Sequence, residues 1–568
     1  MSIKNSAIFI LLLSLFAGCN SIDEAITVVQ VDPLKKVFKE QLFFEDNKDT
    51  AAVAKGETAS FQFVFRSIYP VKNLKIEAGE LMNGNHRIPS SLEAFVGHVY
   101  IPGNFLSHTP SQNRLAPVSG YFPDPLWEIE STDVASMSNQ PLWVNYAIPR
   151  DAAEGTYTAL LHITGETNGR KFNISKQVVA QVYNVVLPEQ TLWVDNWINP
   201  YPGELRRMNG GEICPIYSER FWELNKIVAN KVRDYGQNVY RILWEMPGNY
   251  SIAGKTESGQ YIYDFSFESF DRMVELYIRE GGLKRFTVSH IGGRINGGWY
   301  DHIGVTVPIL SGDKTIIKNM PLESEEARNF LDQFIPALTG HVKEKGWEDF
   351  YLQYLADEPA DGEYEPSYLR IAEYIKKLSP GLKIIDALHR TPNIARAIDI
   401  PVPMTDRLHL QYEELYKPMI ESGKEVWHYT CMEPYGEKYA NRFLEQPLIQ
   451  TRLLHWINYR YNVKGYLHWG LNSWRNDTIQ GENMDWGNKP AGDCWIIYPS
   501  YGKLHSSMRL EAMRDGINDY ELLKLLESKN PAGAKELAEK TVKDFDSYDQ
   551  DIVHFRQRRA KMLKWLSE

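Results

Sequence analysis

Tyr351-Leu352-Gln353-Tyr354-Leu355-Ala356-Asp357-Glu358-Pro359 is the stretch on which the fold turns. Its aromatic and aliphatic run has the length of a buried strand, and Pro359, with no N–H to give a ladder, stops it. Two adjacent carboxylates therefore stand at the end of a core strand. Taken alone, Asp-Glu-Pro also fits a helix cap at Asp357 beside a solvated Glu358. The surroundings decide between the two.

Outward from this stretch, strand-like runs alternate with helical ones everywhere after Pro188, the pattern of parallel βα units. Eight runs read as strands: Leu192 to Ile198, Asn238 to Trp244, Arg285 to His290, Phe350 to Ala356, Lys383 to Leu388, Arg407 to Gln411, Glu425 to Thr430 and Gly465 to Trp469. Ser218 to Tyr235, Phe265 to Glu280, Ser324 to Lys345, Pro366 to Leu378 and Gln446 to Tyr461 carry apolar residues at mixed three and four spacing, as helices packed on one face do. Eight units predict an α/β fold of the (β/α)8, TIM-like barrel type, with the opening stretch as its fourth strand.

Before the barrel the period is different. Ser60 to Arg66 alternates apolar and polar residues, and Leu74 to Ala78, Ala94 to Tyr100, Leu142 to Ile148, Thr156 to Thr164 and Gln177 to Val186 do likewise between Gly, Pro and Asn turns. Strands without helices predict an antiparallel β-sandwich. Tyr121 to Trp127, YFPDPLW, is broken by prolines and cannot be a central strand; aromatics beside prolines suit the seam between domains. After the barrel, Ser507 to Leu526 and Pro531 to Glu568 read as helices packed on its outside. The expected division is a signal segment over 1–19, a sandwich over 20–188, the barrel over 189–505 and a helical segment over 506–568.

Barrel sites lie at the C-terminal ends of the strands, so the residues closing each run should line one mouth. They are Asn196, Trp197 and Asn199, then Trp244 and Glu245, His290, Asp357 and Glu358, His389 and Arg390, Gln411 and Tyr412, His428 to Glu433, and finally Trp469, Asn472 and Trp474. This polar and aromatic collar around an acid pair points to chemistry at Asp357 and Glu358. Adjacent carboxylates on extended backbone face opposite ways, but a turn at the strand end lets both reach one ligand at different atoms.

Composition narrows the ligand. A formal net charge of −11 over 568 residues argues against a nucleic-acid partner, which needs a basic surface. Aromatics make up 12% of the chain, with 15 Trp and 32 Tyr, and flat faces with a polar edge suit sugars. Neither a metal-ligand spacing nor a nucleotide loop is legible, so no cofactor is expected.

The first residues read as a processing segment. Lys4 supplies the positive region, Ile8 to Phe16 an apolar core too short to span a bilayer, and Leu15-Phe16-Ala17-Gly18-Cys19 resembles the lipobox of bacterial lipoproteins. That resemblance implies cleavage before Cys19, lipidation of its thiol and a cell envelope lipoprotein of the outer membrane, periplasmic or surface-facing, anchored without crossing the membrane. An ordinary signal peptide with a free Cys19 is the alternative. Cys214, Cys431 and Cys494 are left, an odd and widely spaced set.

The Asp357-Glu358 pair, the Trp469 to Trp474 segment WGLNSW and the run Arg509 to Glu521, RLEAMRDGINDYE, together resemble glycoside hydrolase family 123. The likeness extends to GTYTALLHIT and YFPDPLW in the first domain. It implies a β-sandwich ahead of a (β/α)8 domain and exo-acting, retaining, substrate-assisted release of β-linked N-acetylgalactosamine from glycans or glycolipids. On this reading Glu358 protonates the glycosidic oxygen and Asp357 orients the 2-acetamido group that attacks the anomeric carbon. Trp469 and Trp474 would wall the acetamide pocket and Tyr412 or Tyr429 would bond its carbonyl, with ordinary barrel packing the alternative for each; Asn196 is a further substrate-binding candidate, and His290, His389 and His428 would either meet sugar hydroxyls or serve the structure.

Two other readings stay open. Glu433, just past strand 7, could act as a covalent nucleophile opposite Glu358 if the two lie about 5 Å apart. A surface lipoprotein that only captures glycans would use the same aromatic groove without the acid pair.

Overall fold

The computed structural model describes residues 25–42, 44, 50–101, 120–434, 438–474 and 490–568. Cys19 and the segment before it, including the expected lipobox, lie outside the described residues. The chain builds a β-sandwich, a (β/α)8 barrel and three C-terminal helices, the α/β architecture that the strand and helix periods predict.

One sheet of the sandwich orders Ile26–Val31, Thr58–Ser67, Asn139–Ala147, Leu92–Ile101 and Gly120–Trp127, all antiparallel. The other is antiparallel except where Ala51–Lys55 runs parallel to Arg170–Val186. Phe61, Phe63 and Phe65 point between the sheets and are almost wholly buried; each contributes roughly 1.5–3 kcal/mol by leaving water. The intervening Gln62 and Val64 are buried as well, because the segment after Val31 folds over the outer face. Gln62 Nε2 donates to the carbonyls of Asp32 and Lys35, and Val64 packs with Val31 and Val37.

The proline-broken YFPDPLW stretch is the edge strand of its sheet and lies on the seam with the catalytic half. Leu126 N donates to Ser506 O at 2.9 Å, and the Asp124 carboxylate, fully buried, pairs with Arg509 at 2.9 Å and accepts from Tyr498. Edge placement is what the missing proline N–H groups require.

The eight barrel strands are Trp193–Asn196, Val239–Ile242, Arg285–Val288, Tyr351–Gln353, Ile385–Leu388, Ile400–Pro403, Trp427–Tyr429 and Gly465–His468, numbered 1 to 8 below. All pairings between them are parallel, and strands 1 and 8 close the ring. Strands 1 and 2 are stitched by a side chain: Asn238 Oδ1 accepts from Val194 N, and its Nδ2 donates to Leu192 O.

Strand 6 differs from the expectation. Arg407 to Gln411 lies largely in a short helix, Thr405–Leu410, and the strand is Ile400-Pro401-Val402-Pro403. Two prolines in four residues argue against a central strand, yet here the N–H groups of Ile400 and Met404 turn to strand 5. The proline positions alternate with them, so they face strand 7, where a single bridge, Met404 with Tyr429, is formed.

The C-terminal helices are Met508–Lys529, Pro531–Thr541 and Ile552–Ser567. The segment from Pro531 to Glu568, expected to be helical, is two helices parted by a hairpin, Val542–Asp544 with Ser547–Tyr548, and Asp551 caps the last helix by accepting from His554 N. Met508–Lys529 packs on the barrel and also on the sandwich. Asp519, fully buried, accepts from Arg452, Arg559 and Trp456, while Glu511 accepts from Asn145 and Tyr235. Among the described residues no helix is long and apolar enough to cross a membrane.

Candidate active site

Strand 4 keeps ladder geometry only to Gln353, and the chain beyond it is carried to the mouth by individual bonds. Tyr354 N donates to Val288 O, and Gly292 N donates to Leu355 O at 2.8 Å. The N–H groups of Leu355 and Ala356 both donate to the carboxylate of Asp386 on strand 5, which also accepts from the Tyr368 hydroxyl. Burial pushes the Asp386 carboxyl well above the usual range, against the pull of these donors. Asp386 thus anchors the backbone that presents the acid pair. A lone carboxylate inside the apolar run Lys383 to Leu388 was the sequence signal for it.

The turn falls at Glu358, whose φ of 45° lies in the left-handed region that an ordinary side chain enters at a cost of about 1 kcal/mol or more. Arg294 holds that conformation. Its guanidinium donates to the carbonyl of Asp357 at 3.2 Å and of Glu358 at 2.6 Å. Arg294 belongs to a three-stranded insertion after strand 3, formed by Gly292–Arg294, Ile303–Ser311 and Lys314–Met320. The insertion approaches closely because Gly292 has no Cβ; one added there would stand 3.2 Å from Leu355 O and 2.8 Å from Gly304 O.

The two carboxyls have different surroundings. Asp357 is exposed at the mouth; crowding by protein raises its carboxyl, and the positive charges of Arg294 and Arg241 oppose that rise. Glu358 is half-buried, and Tyr429 on strand 7 donates to its Oε1. Burial, then the charge of Asp357, push the Glu358 carboxyl up to about 7, with Glu433 adding to the rise; the Tyr429 hydroxyl and Arg294 pull the other way. Burial and the negative charge of Glu358 raise the Tyr429 hydroxyl well above its ordinary value, so it stays a neutral donor.

Beneath the pair lies a polar floor. Tyr354 donates to Asp195 at 2.9 Å and takes the Trp197 indole N–H at 3.3 Å, while the Arg241 guanidinium stacks 4.2 Å from the Trp197 ring. Burial lifts the Asp195 carboxyl to about 7 and lowers His290 to about 3, so His290 is neutral. It sits against Trp197 and Tyr354 with Nε2 3.8 Å from Asp386 Oδ1. Across the mouth, His389 stands 3.6 Å from Glu433 and 3.3 Å from Arg407, which pairs with Asp406.

Of the residues expected to meet substrate, Asp357, Glu358, Tyr429, His290 and Trp469 gather at this end of the barrel. Trp469 is half-buried after strand 8 and donates to Asp493 at 2.9 Å. Four expected residues are committed elsewhere. Asn196 is buried with its amide committed to Gln237 and Arg442. Trp474 is 1% exposed, its indole N–H donating to Ile497 O, so it is core and not a pocket wall. Tyr412, displaced with the misplaced strand 6, falls in the π-helical turn Tyr412–Tyr416 and packs on Tyr461 and Phe545 in the outer layer. His428 is also structural, buried between Thr405 and Asn458. Arg294, Asp386 and Arg241 are the residues that sequence reading missed; the first two hold the pair in place through contacts distant along the chain.

Among the described residues, His409, Asp544 and Asp546 could jointly face a metal ion. They lie in the outer layer, where Asp544 Oδ1 already accepts from Tyr461 and Phe545 N. The mouth itself presents carboxylates, guanidinium groups and aromatic faces, a set that can donate a proton, hold a charge and stack on a ring.

Comparison with known proteins finds family models and solved structures similar to this chain. The model described as glycoside hydrolase 123, catalytic domain, matches residues 201–526, and the glycoside hydrolase 123 N-terminal domain matches residues 35–165. A family 123 glycoside hydrolase from Clostridium perfringens, solved in a study of glycolipid glycan hydrolysis, is similar over 96% of this chain and 97% of its own, with TM-score 0.73 and 18% identity. Xylanase 10C from Cellvibrio japonicus aligns over 86% of this chain and 99% of its own at TM-score 0.37 and 10% identity. A type III pullulan hydrolase from Thermococcus kodakarensis aligns over 89% and 88% at TM-score 0.30 and 10% identity. The last two are too distant in shape to bear on the site. No curated protein matches the chain.

Proposed function

The chain belongs to glycoside hydrolase family 123, and on that premise we propose that it is an exo-acting, retaining β-N-acetylgalactosaminidase whose substrate supplies its own nucleophile. Glu358 protonates the glycosidic oxygen as the bond to the anomeric carbon breaks. The carbonyl oxygen of the 2-acetamido group attacks that carbon, giving an oxazolinium, and Asp357 accepts from the amide N–H and balances its positive charge. Glu358, now a carboxylate, takes a proton from the water that opens the ring, so the anomeric configuration is retained.

The observation that carries this reading is the electrostatic division of two adjacent acids. Both carboxyls are raised by burial, but Glu358, half-buried and pushed up to about 7 with the charge of Asp357 beside it, is suited to hold a proton near neutrality, whereas Asp357 lies exposed at the mouth with both Arg294 and Arg241 opposing its rise. Pairs of carboxyls in unlike environments are how acid and charge-stabiliser are separated. The glycolipid glycan hydrolysis studied in the Clostridium perfringens enzyme makes glycolipid glycans the first natural substrates to try.

Hydrolysis of an aryl β-N-acetylgalactosaminide by wild type, Asp357→Asn and Glu358→Gln tests the assignment. Both variants should lose about 10²–10⁴-fold in kcat/KM, Glu358→Gln least where the leaving group is good. Unchanged rates in both would remove the acid pair from the mechanism, and a trapped glycosyl ester on Glu433 would replace substrate assistance with covalent catalysis. We also propose that Cys19 is lipidated and holds the enzyme at the cell envelope. Incorporation of labelled fatty acid, abolished by Cys19→Ala, checks that; a labelled Ala variant contradicts it.

A further inference from the structure

YFPDPLW of the sandwich, WGLNSW after strand 8 and the run that opens at Arg509 are far apart in the chain, yet one buried ion pair joins all three. Asp124 and Arg509, both fully buried, meet at 2.9 Å. The guanidinium does not end on that carboxylate. Its Nη1 donates to Gly492 O at 2.6 Å and to Arg442 O at 2.8 Å, and its Nη2 donates to Trp495 O at 2.9 Å. Two of these carbonyls bracket Asp493, which is fully buried and accepts from the Trp469 indole N–H at 2.9 Å, while His468 Nε2 stands 3.3 Å from its other oxygen. Arg442, whose carbonyl Arg509 holds, donates in turn to Gly470 O beside Trp469.

This junction has no slack. Gly492 has a φ of 87°, and a Cβ there would stand 2.5 Å from Arg509 Nη1. Every nitrogen of the Arg509 fork is used, with Nε donating to Asp124 at 3.0 Å, so a cation without that planar geometry cannot make the same set of bonds. A guanidinium among carbonyls in the protein interior also needs a countercharge, and the sandwich supplies it through Asp124. We propose that Arg509, held by Asp124, is a positioning residue for the barrel mouth: it sets the backbone from Gly492 to Trp495 and, through Asp493, the indole of Trp469. The sandwich thereby shapes the mouth and is more than an appended module. This rests on the glycosidase reading given above, with Trp469 among the residues gathered at the mouth.

The test is a double-mutant cycle on hydrolysis of an aryl β-N-acetylgalactosaminide, with Arg509→Lys and Trp469→Phe made alone and together. Lysine keeps the charge beside Asp124 and loses the fork, whereas phenylalanine keeps a ring and loses the N–H that Asp493 accepts. Arg509→Lys should lose about tenfold or more in kcat/KM when Trp469 is present and no more than about threefold in the Trp469→Phe background, where Asp493 has no indole left to hold. Asp124→Asn, which keeps an acceptor for Arg509 and Tyr498, should show the same dependence on Trp469 to a smaller degree. Circular dichroism at the assay temperature checks folding, and Asp124→Asn carries the cycle if Arg509→Lys does not fold. Equal losses in both backgrounds would mean that the ion pair serves the fold alone, and no loss in either would mean that Trp469 is placed without it; either overturns the proposal. No turnover by wild type would remove the glycosidase reading and this inference with it.

Discussion

Tyr429→Phe isolates one oxygen in the proton-donor environment. The Tyr429 hydroxyl donates to Glu358 Oε1, and that bond favours the carboxylate form, partly opposing burial and the charges of Asp357 and Glu433. A hydrogen bond to a charged group is worth about 1.5–3 kcal/mol, and about 1.36 kcal/mol corresponds to one pH unit. Glu358 is only half-buried, so water partly replaces the lost donor and the lower end of the range applies. The Glu358 carboxyl should therefore rise by about one further pH unit. Since catalysis needs it protonated at the start, the alkaline limb of kcat/KM, which reports the acid of the free enzyme, should move upward by that amount. Initial rates on an aryl β-N-acetylgalactosaminide across the pH range, with thermal unfolding to confirm that the variant is folded, give the answer. A limb displaced by less than about 0.3 pH unit, or displaced downward, would refute the reasoning.

Glu358→Gln should stabilise the fold at alkaline pH. A carboxyl raised from 4.5 to about 7 leaves its stability contribution intact below about 4.5 and loses it as pH rises through about 7. Unfolding at pH 8 should favour the Gln variant by at most about 2 kcal/mol once screening at the mouth is allowed for, and the gain should vanish near pH 4. Arg294→Met should cut kcat by about 10²-fold or more with an unchanged Tm, because a misplaced acid loses geometry while the fold does not depend on it; circular dichroism and steady-state kinetics separate the two. Asp519→Ala removes the buried carboxylate shared by Arg452 and Arg559, leaving Arg452 only Asp515 and Arg559 only Glu57, and should cost about 3 kcal/mol in urea unfolding, the lower end of what breaking a buried pair costs.

The acid pair and the barrel that carries it were legible because both follow from local pattern. Strand length, the stop at Pro359 and the alternation of strands with helices need no distant contact to be seen. Strand 6 was not legible because Pro401 and Pro403 contradict the usual rule for strands, and Arg407 to Gln411 imitates the right alternation while forming a helix. Tyr412 went astray with it. Trp474 was misplaced for another reason: the position after strand 8 continues into the core, where Ile497 takes its indole N–H. Arg294 was out of reach of any local reading, since it meets Glu358 from 64 residues away through an insertion that only tertiary packing sets beside strand 4.

The central claim is that the substrate's acetamide, and no enzyme carboxylate, attacks the anomeric carbon. Aryl β-galactosaminides bearing acetyl, fluoroacetyl, difluoroacetyl and trifluoroacetyl groups on the 2-nitrogen test it most directly, because each fluorine weakens the carbonyl oxygen as a nucleophile and leaves the rest of the sugar alone. The wild-type kcat/KM should fall steeply with every fluorine added. A rate that stays level across the series would contradict substrate assistance and return the role of nucleophile to a side chain of the enzyme.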